Sequence, residues 1–232
     1  MENERINMQN LLEEIRGEKW EKFLAFSAYL KEFNAKYNLT AITEEKDVLY
    51  KHFLDSVSGK AFFKTGARVA EVGSGAGFPS VPLKILREDL SFTLMESVGK
   101  KCDFLNYVVD KLDFFGMNIC NIRAEDAARS EKHREKYDHA TARAVAAMNT
   151  LCEYTLPLVK VGGTFVAYKS ADEKEILEAK KACVVLGGKE IVRYPYALPE
   201  GYGERCIAVA EKVKKTPEKY PRGNGKERKQ PL

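Results

Sequence analysis

Cysteine and histidine are scarce in this chain of 232 residues, which has five cysteines and three histidines. The cysteines are Cys102, Cys120, Cys152, Cys183 and Cys206. No two of them form a CxxC pair, and an odd number cannot pair completely, so the pattern argues against a disulfide framework and against a structural zinc. We expect reduced, mostly buried thiols and no metal site.

Long apolar runs are also missing. No stretch approaches the ~20 residues that cross a bilayer, and the start, Met-Glu-Asn-Glu-Arg, is charged, unlike a secretory signal. The composition, 44% hydrophobic and 31% charged, is typical of a globular protein rather than a disordered one. The sequence therefore predicts a cytoplasmic protein that does not act at a membrane. Separately, we expect a monomer.

Positive charge is concentrated at the carboxyl end. Residues 212–232 contain eight Lys or Arg and two Glu, a net +6 in a chain whose total is +4, so the rest of the chain carries −2. Such a tail can serve solubility alone, or it can bind nucleic acid by neutralising phosphates and displacing their counterions. In the second case the candidate RNA-binding residues are Arg222, Lys226, Arg228 and Lys229.

Helix-like and strand-like segments alternate along most of the chain. Apolar residues at three- and four-residue spacing predict an amphipathic helix over 20–37, and a second helical stretch is expected over 43–57. Strand-like runs follow at 68–72, 91–96, 117–122, 137–141, 163–169, 190–194 and 205–212. Most of these runs are separated by helix-length windows, among them 98–115, 144–159 and 172–186.

This alternation predicts the α/β class, with βαβ units and a mostly parallel seven-stranded sheet. The last two strands have no helix between them and are expected to form an antiparallel edge. We divide the chain into an N-terminal helical extension (1–62), an α/β core (63–213) and a basic C-terminal tail (214–232).

A glycine-rich turn follows the first strand. Gly73, Gly75 and Gly77 alternate just before Pro79, which suits the first turn of a helix. Glycine permits positive φ and lets a ligand approach the backbone closely, although a tight turn without a ligand would use the same residues. The third glycine comes one position too early for the GxGxxG dinucleotide fingerprint, and no Gly-Lys-Ser/Thr follows. The motif therefore disfavours NAD and a P-loop nucleotide.

Acidic residues near this turn indicate what kind of ligand it would accept. Glu71, on the first strand, can attract an ammonium group. Glu96 ends the second strand, where a carboxylate can accept hydrogen bonds from both ribose hydroxyls, although alone it could be a surface charge. Glu125 could hold an adenine amine or simply be an acid at a helix N-terminus. A nucleoside with a cationic amino-acid end and no phosphate is S-adenosylmethionine, whose product is S-adenosylhomocysteine.

Motifs for a catalytic base or a covalent nucleophile are absent: no Pro-Cys, no Asp/Asn-Pro-Pro-Tyr/Phe and no GxSxG occurs. Methyl transfer requires alignment of the reacting atoms, and a ring nitrogen with a free lone pair, such as guanine N7, has no proton to remove. Arg143 and Lys169, at the ends of the fourth and fifth strands, could reach guanine O6 or a phosphate. They are the candidate catalytic residues, although each could be an edge cation with its head in water.

Blocks along nearly the whole chain occur in an order and spacing typical of one family. They are NLTAI (38–42), KHFLDS (51–56), the segment 71–83, ES with KK (96–101), RAE (123–125), ARAVA (142–146), LPL (156–158) and YPR with a final PL (220–232). In these blocks the sequence resembles the RsmG (GidB) family of bacterial 16S ribosomal RNA guanine-N7 methyltransferases.

The resemblance implies a class I Rossmann-like methyltransferase that uses S-adenosylmethionine to methylate N7 of one guanosine in 16S rRNA, in the small ribosomal subunit or an assembly intermediate. It implies cofactor contacts at Gly73, Gly75, Gly77, Phe78, Glu96, Ala124, Glu125 and Arg143, beside Glu71. Four residues depart from the family pattern: Glu71 replaces an Asp, Ser80 and Ser170 replace Gly, and Glu227 replaces a Pro. A small-molecule methyltransferase, or an RNA-binding module with a vestigial site, are the alternatives.

Overall fold

The computed structural model describes residues 6–232. The charged start, on which the expectation about secretion rests, lies outside these residues. None of the helices within the described part is both long and apolar enough to traverse a lipid bilayer.

Seven strands form one sheet in the order β3-β2-β1-β4-β5-β7-β6. Their bounds are β1 Arg68–Val72, β2 Ser91–Glu96, β3 Met117–Asn121, β4 Tyr137–Arg143, β5 Val159–Ser170, β6 Gly188–Ala197 and β7 Glu204–Lys212. Strands β1 to β5 pair in parallel, whereas β7 is antiparallel to both β5 and β6. The predicted α/β class and antiparallel edge are confirmed. The strand order reverses between β1 and β4, the position where open α/β sheets bind ligands.

Helices precede the sheet, cover both of its faces and end the chain. They are α1 Met8–Ile15, α2 Trp20–Tyr37, α3 Glu45–Asp47, α4 Asp55–Val57, α5 Ser80–Leu86, α6 Gly99–Lys111, α7 Ala124–Arg129, α8 Met148–Thr155, α9 Glu173–Glu178, α10 Lys180–Val185 and α11 Lys226–Lys229. The predicted helix 20–37 is confirmed and ends at Asn38, which adopts a left-handed φ of 50°. The stretch expected over 43–57 is helical from residue 45, but its middle, Val48–Leu54, is a π-helix.

Three predicted helices differ from the structure, for local reasons. Helix α6 ends at Lys111 rather than near residue 115, because Asp113 and Gly116 both have positive φ. Helix α8 begins at Met148 rather than at Ala144, whose own φ is 56°. The charged segment 172–186 forms two short helices that meet at Ala179 instead of one.

The buried side chains form two hydrophobic clusters, one on each face of the sheet. Val69 of β1 belongs to the cluster that also contains Phe23 and Phe26 of α2, whereas Ala70 and Val72 belong to the cluster beneath α7, α8 and α10. The N-terminal helices therefore share a core with the sheet. All five cysteines are free, and all but Cys120 are buried, as expected.

Candidate functional site

The glycine-rich turn leaves β1 at the switch point of the sheet. Gly73 has a φ of 67°, and a Cβ there would lie 2.7 Å from the Val145 Cγ2 atom. At Gly77, φ is 87° and a Cβ would lie 2.7 Å from the Val81 Cγ2 atom. Side chains are excluded at both positions by conformation and by packing, so the turn brings bare backbone to the carboxyl edge of the sheet.

The Glu96 carboxylate connects this turn to the next strand. One oxygen accepts a hydrogen bond from the Gly75 N–H and the other from the Val98 N–H, both at 2.9 Å. Glu96 is only 5% exposed. The carboxylate therefore fixes the turn against the end of β2, and it has further lone pairs with which to accept hydrogen bonds.

A cavity of about 580 Å³ lies at the carboxyl ends of β1, β2 and β3. Among the residues predicted to contact a cofactor, it is lined by Gly73, Ala124 and Glu125. Its size and mixed polar and apolar lining suit a nucleoside-sized ligand. The exposed glycine backbone and the neighbouring carboxylates fit a phosphate-free nucleoside with a cationic end. We refer to this space as the cofactor cavity.

A second, smaller cavity of about 320 Å³ adjoins the first, with Ala144 lining one and Val145 the other. Its basic lining comes from four parts of the chain: Lys51 and His52 before α4, Arg143 on β4, Lys169 on β5 and Arg205 on β7. Asp55 also lines it. We refer to this space as the basic cavity.

Arg143 is held in a fixed position in the basic cavity. Its guanidinium donates hydrogen bonds to the Asp55 Oδ2 atom at 2.8 Å and to the Lys51 carbonyl at 3.0 Å. Its side chain is 13% exposed, and the guanidinium lies 5.0 Å from the centre of the Phe78 ring. The Tyr196 hydroxyl donates to the other Asp55 oxygen at 2.8 Å. Arg143 is therefore a largely enclosed, ion-paired cation rather than a free edge cation.

His52 stays neutral in this arrangement. Burial, and next the charge of Arg143, lower the pKa of His52 to about 3. Its Nδ1 atom lies 3.1 Å from Arg143 Nη2 and its Nε2 atom 3.0 Å from Thr40 Oγ1. Because Arg143 can only donate, Nδ1 accepts and the Nε2–H donates to Thr40. The imidazole also stacks on Phe78, with ring centres 4.2 Å apart.

Glu71 lies on the face of the sheet that the N-terminal helices cover. It has no exposed surface and lines neither cavity. Neither carboxylate oxygen has a hydrogen bond of good geometry within residues 6–232. Burial raises the pKa of Glu71 to about 7, although the Ser80 and Ser74 hydroxyls and the Arg143 charge lower it in part.

Lys169 and the basic tail also have intramolecular partners. Lys169 forms an ion pair with Glu175 at 2.5 Å and donates to the Ala146 carbonyl. Arg222 forms an ion pair with Glu153 at 2.8 Å. Lys226, Arg228 and Lys229 form the exposed helix α11, which the sequence did not predict.

The predicted site residues are thus divided between neighbouring places. Gly73, Ala124 and Glu125 line the cofactor cavity, and Arg143 and Lys169 line the basic cavity. Five further residues line one cavity or the other, although no pattern in the sequence predicted a role for them: Asp55, His52, Arg205, Tyr154 and Arg129. The block KHFLDS was the only signal that could have singled out His52 and Asp55.

Comparisons with known proteins point to one family. A family model described as GidB, rRNA small subunit methyltransferase G, matches residues 19–196. A protein of Exiguobacterium sp. named ribosomal RNA small subunit methyltransferase G is 44% identical over 98% of this chain and 100% of its own length. A protein of the same name from Lactobacillus acidophilus is 44% identical over 94% of this chain and 93% of its own.

Solved structures with a similar fold include methyltransferases. One from Pyrococcus furiosus has a TM-score of 0.57 and 13% identity, covering 84% of this chain and 98% of its own. A SAM-dependent methyltransferase from Aquifex aeolicus has a TM-score of 0.55 and 14% identity, covering 75% of this chain and 96% of its own. At such identity the likeness concerns the fold alone, which is the Rossmann-like methyltransferase fold expected from the sequence.

Proposed function

Since the chain belongs to the rRNA small subunit methyltransferase G family, we propose that it transfers a methyl group from S-adenosylmethionine to N7 of a guanosine in 16S ribosomal RNA. The observation that carries the proposal is the pair of adjoining cavities at the carboxyl edge of the sheet. One is nucleoside-sized and lined by glycine and acidic residues, and the other is basic and contains Arg143.

We assign the cofactor to the glycine-rich turn and to the residues that line the cofactor cavity beside it. When bound, S-adenosylmethionine supplies a methyl group activated by its sulfonium. Gly73, Ala124 and Glu125 hold it from the walls of the cofactor cavity. We assign the ribose hydroxyls to Glu96, whose carboxylate accepts a hydrogen bond from the Gly75 N–H of the turn. The other residues proposed to contact or support it are Glu71, Gly77, Phe78 and Arg143.

The basic cavity suits a guanine whose N7 is the acceptor. Arg143 presents a guanidinium whose position is set by Asp55 and His52. It can donate to guanine O6, which is an acceptor beside N7, and so leave the N7 lone pair free to attack the methyl group. At N7 there is no proton to abstract. The low pKa of His52 keeps it neutral at pH 7, so its part is to orient Arg143. Catalysis here consists of positioning.

Lys169 and the basic tail are proposed to bind the RNA backbone around the target base. Lys169 lies beside Arg143 in the basic cavity. Lys226, Arg228 and Lys229 add exposed positive charge on α11, which attracts phosphates without reading sequence. We place this activity in the cytoplasm, on the 16S rRNA of the small subunit.

The test is methyl transfer from radiolabelled S-adenosylmethionine to small-subunit RNA. Labelled RNA should become cleavable at one guanosine by borohydride and aniline, since that treatment cleaves at N7-methylguanosine. Arg143→Lys keeps the charge but loses the two-pronged donor geometry, so turnover should fall about tenfold or more while the chain stays folded.

The matched control is Arg68→Lys. Arg68 is exposed and begins β1 at the opposite edge of the sheet, so its replacement should leave turnover within about twofold. Label that appears only on small molecules, or RNA label that does not sensitise any guanosine to cleavage, would overturn the proposal.

A further inference from the structure

The end of the chain forms part of the cofactor cavity. Asn224, Gly225 and Arg228 line this cavity together with Ala124 and Glu125, which follow β3. The segment 220–229 therefore reaches the place where the adenosine end of the cofactor is expected. We refer to it as the C-terminal wall.

A buried ion pair holds this wall on α8. Glu153 has a side chain that is 1% exposed, and the Arg222 guanidinium donates to it through Nε at 2.9 Å and Nη2 at 2.8 Å. The Arg222 backbone N–H donates to the same carboxylate at 2.8 Å. A bidentate, hydrogen-bonded pair of this kind fixes orientation as well as charge. The Thr150 hydroxyl adds a hydrogen bond to the Glu227 carbonyl at 2.9 Å.

Two arginines near α7 hold the wall from the other side. Arg129 lines the cofactor cavity and donates to the Pro221 carbonyl at 3.0 and 2.8 Å. Its guanidinium lies against Gly223, which has a φ of 73° and where a Cβ would overlap it. Arg134 donates to the Tyr220 carbonyl at 2.8 Å and to the Thr216 carbonyl at 2.8 Å. These contacts attach the segment to the core at several points.

Arg228 retains donors for a ligand. It is exposed, forms no ion pair among residues 6–232, and its contact with the Val145 carbonyl is long, at 3.5 Å. Burial raises the pKa of Tyr154, which also lines the cavity, and Arg228 lies close enough to the phenol to lower that pKa in part. A guanidinium stacks on aromatic rings such as adenine and donates to ring nitrogens. Beside it, Gly225 has a φ of 72° and open space where a Cβ would be.

We propose that the C-terminal wall is a component of the cofactor site. In this site Arg228 binds the adenine end of the cofactor, and Arg222, through its ion pair with Glu153, holds the C-terminal wall in position. This proposal rests on the proposed function, since it concerns the same cofactor. It gives the tail a role other than RNA attraction. Arg228 is a binding residue and Arg222 is a positioning residue.

The test compares two neighbouring cations of α11 in the full-length chain. Arg228→Ala removes a residue that lines the cavity, whereas Lys229→Ala removes an equal charge that does not. Calorimetric titration with S-adenosylhomocysteine should give a dissociation constant raised about tenfold for Arg228→Ala and less than twofold for Lys229→Ala. RNA affinity should fall by a similar factor in both, because both charges are exposed.

Arg222→Lys tests the positioning step, since it keeps the charge but loses the bidentate geometry. It should weaken S-adenosylhomocysteine binding while thermal unfolding shows a folded chain. Equal affinities for the wild type, Arg228→Ala and Arg222→Lys would overturn this inference and leave the proposed function intact. A wild-type chain that does not bind S-adenosylhomocysteine at all would overturn both.

Discussion

Glu71 is a carboxyl group with no exposed surface, and burial raises its pKa to about 7 from an ordinary value of 4.5. Between these pH values the folded chain keeps a proton that the unfolded chain has released. The contribution of this group to the free energy of unfolding is therefore greatest below pH 4.5, and it is lost as the pH rises to 7. A folded chain at neutral pH is therefore less stable than it would be with this carboxyl group protonated.

We predict that Glu71→Gln stabilises the chain at alkaline pH, since Gln resembles the protonated acid. The gain over the wild type should be near zero at pH 4.5 and grow by up to about 1.4 kcal/mol per pH unit, to about 3 kcal/mol above pH 7. Urea unfolding at pH 5 and pH 8 measures it, with the exposed Glu131→Gln as control. A stability difference that does not change with pH would contradict the burial argument.

At the scale of elements, the connection from β1 to α5 is the part that positions the site. The turn contains Gly73, and its Gly75 N–H donates a hydrogen bond to the Glu96 carboxylate. It also contains Phe78, on which the His52 ring stacks. This connection lines the cofactor cavity at Gly73, and its Phe78 contacts His52 and Arg143, which line the basic cavity. A change in its backbone should therefore affect the cofactor and the acceptor side together. The preceding strand, β1, pairs with β2 on one side and with β4 on the other. The turn therefore begins from a strand that is held on both sides.

We predict that Gly73→Ala is more damaging than Gly66→Ala, although both glycines have nearly the same positive φ, 67° and 69°. Each substitution lowers the free energy of unfolding by about 1–2 kcal/mol, because it places an alanine in the left-handed region. Only at Gly73 does the new Cβ also meet another residue, Val145, at 2.7 Å, whereas nothing lies within 4 Å of it at Gly66.

Thermal unfolding should therefore show a larger loss for Gly73→Ala. The affinity for S-adenosylhomocysteine should fall about tenfold or more in Gly73→Ala and stay near the wild-type value in Gly66→Ala. Equal effects of the two substitutions on stability and affinity would show that conformational strain alone, without the contact at the cavity, explains them.

At the scale of the whole molecule, charge is distributed unevenly. The region 212–232 carries a net +6, and the remainder carries −2. Part of the positive charge of this region has partners within the molecule, because Lys212 is buried beside Glu135 and Arg222 is paired with the buried Glu153. Among the tail residues predicted to bind RNA, Lys226, Arg228 and Lys229 are the exposed ones.

We predict that Lys229→Ala lowers the salt dependence of RNA binding. Each phosphate contact contributes about 0.7 to 0.9 to the slope of log affinity against log salt concentration, so the slope should decrease by about that amount. Binding measured between 50 and 200 mM salt gives the value. The control is Lys111→Ala at the end of α6, distant in sequence from the tail, which should leave the slope unchanged. Identical slopes for Lys229→Ala and the wild type would remove Lys229 from the RNA-binding surface.

Local patterns predicted most of the fold. The strands 68–72 and 91–96 and the helix 20–37 have the bounds that their residue patterns indicate, because alternation and helical periodicity are properties of neighbouring residues. The boundaries that failed depend on backbone conformations that a pattern does not reveal, such as the positive φ of Ala144 and Asp113. The family, the fold and the antiparallel edge are confirmed, whereas the domain boundaries, the site residues and the monomeric state stay predictions.

The sequence by itself determined the class of fold, the position of the glycine turn and the placement of positive charge at the carboxyl end. Each of these depends on residues that are close together along the chain. Only the tertiary structure decided that Arg143 is bound to Asp55, 88 positions earlier, and Arg222 to Glu153, 69 positions earlier. It alone divided the site between two cavities and brought the end of the chain to one of them. The reason is that a contact between distant residues depends on how helices pack on the sheet, which fixes side-chain positions in three dimensions.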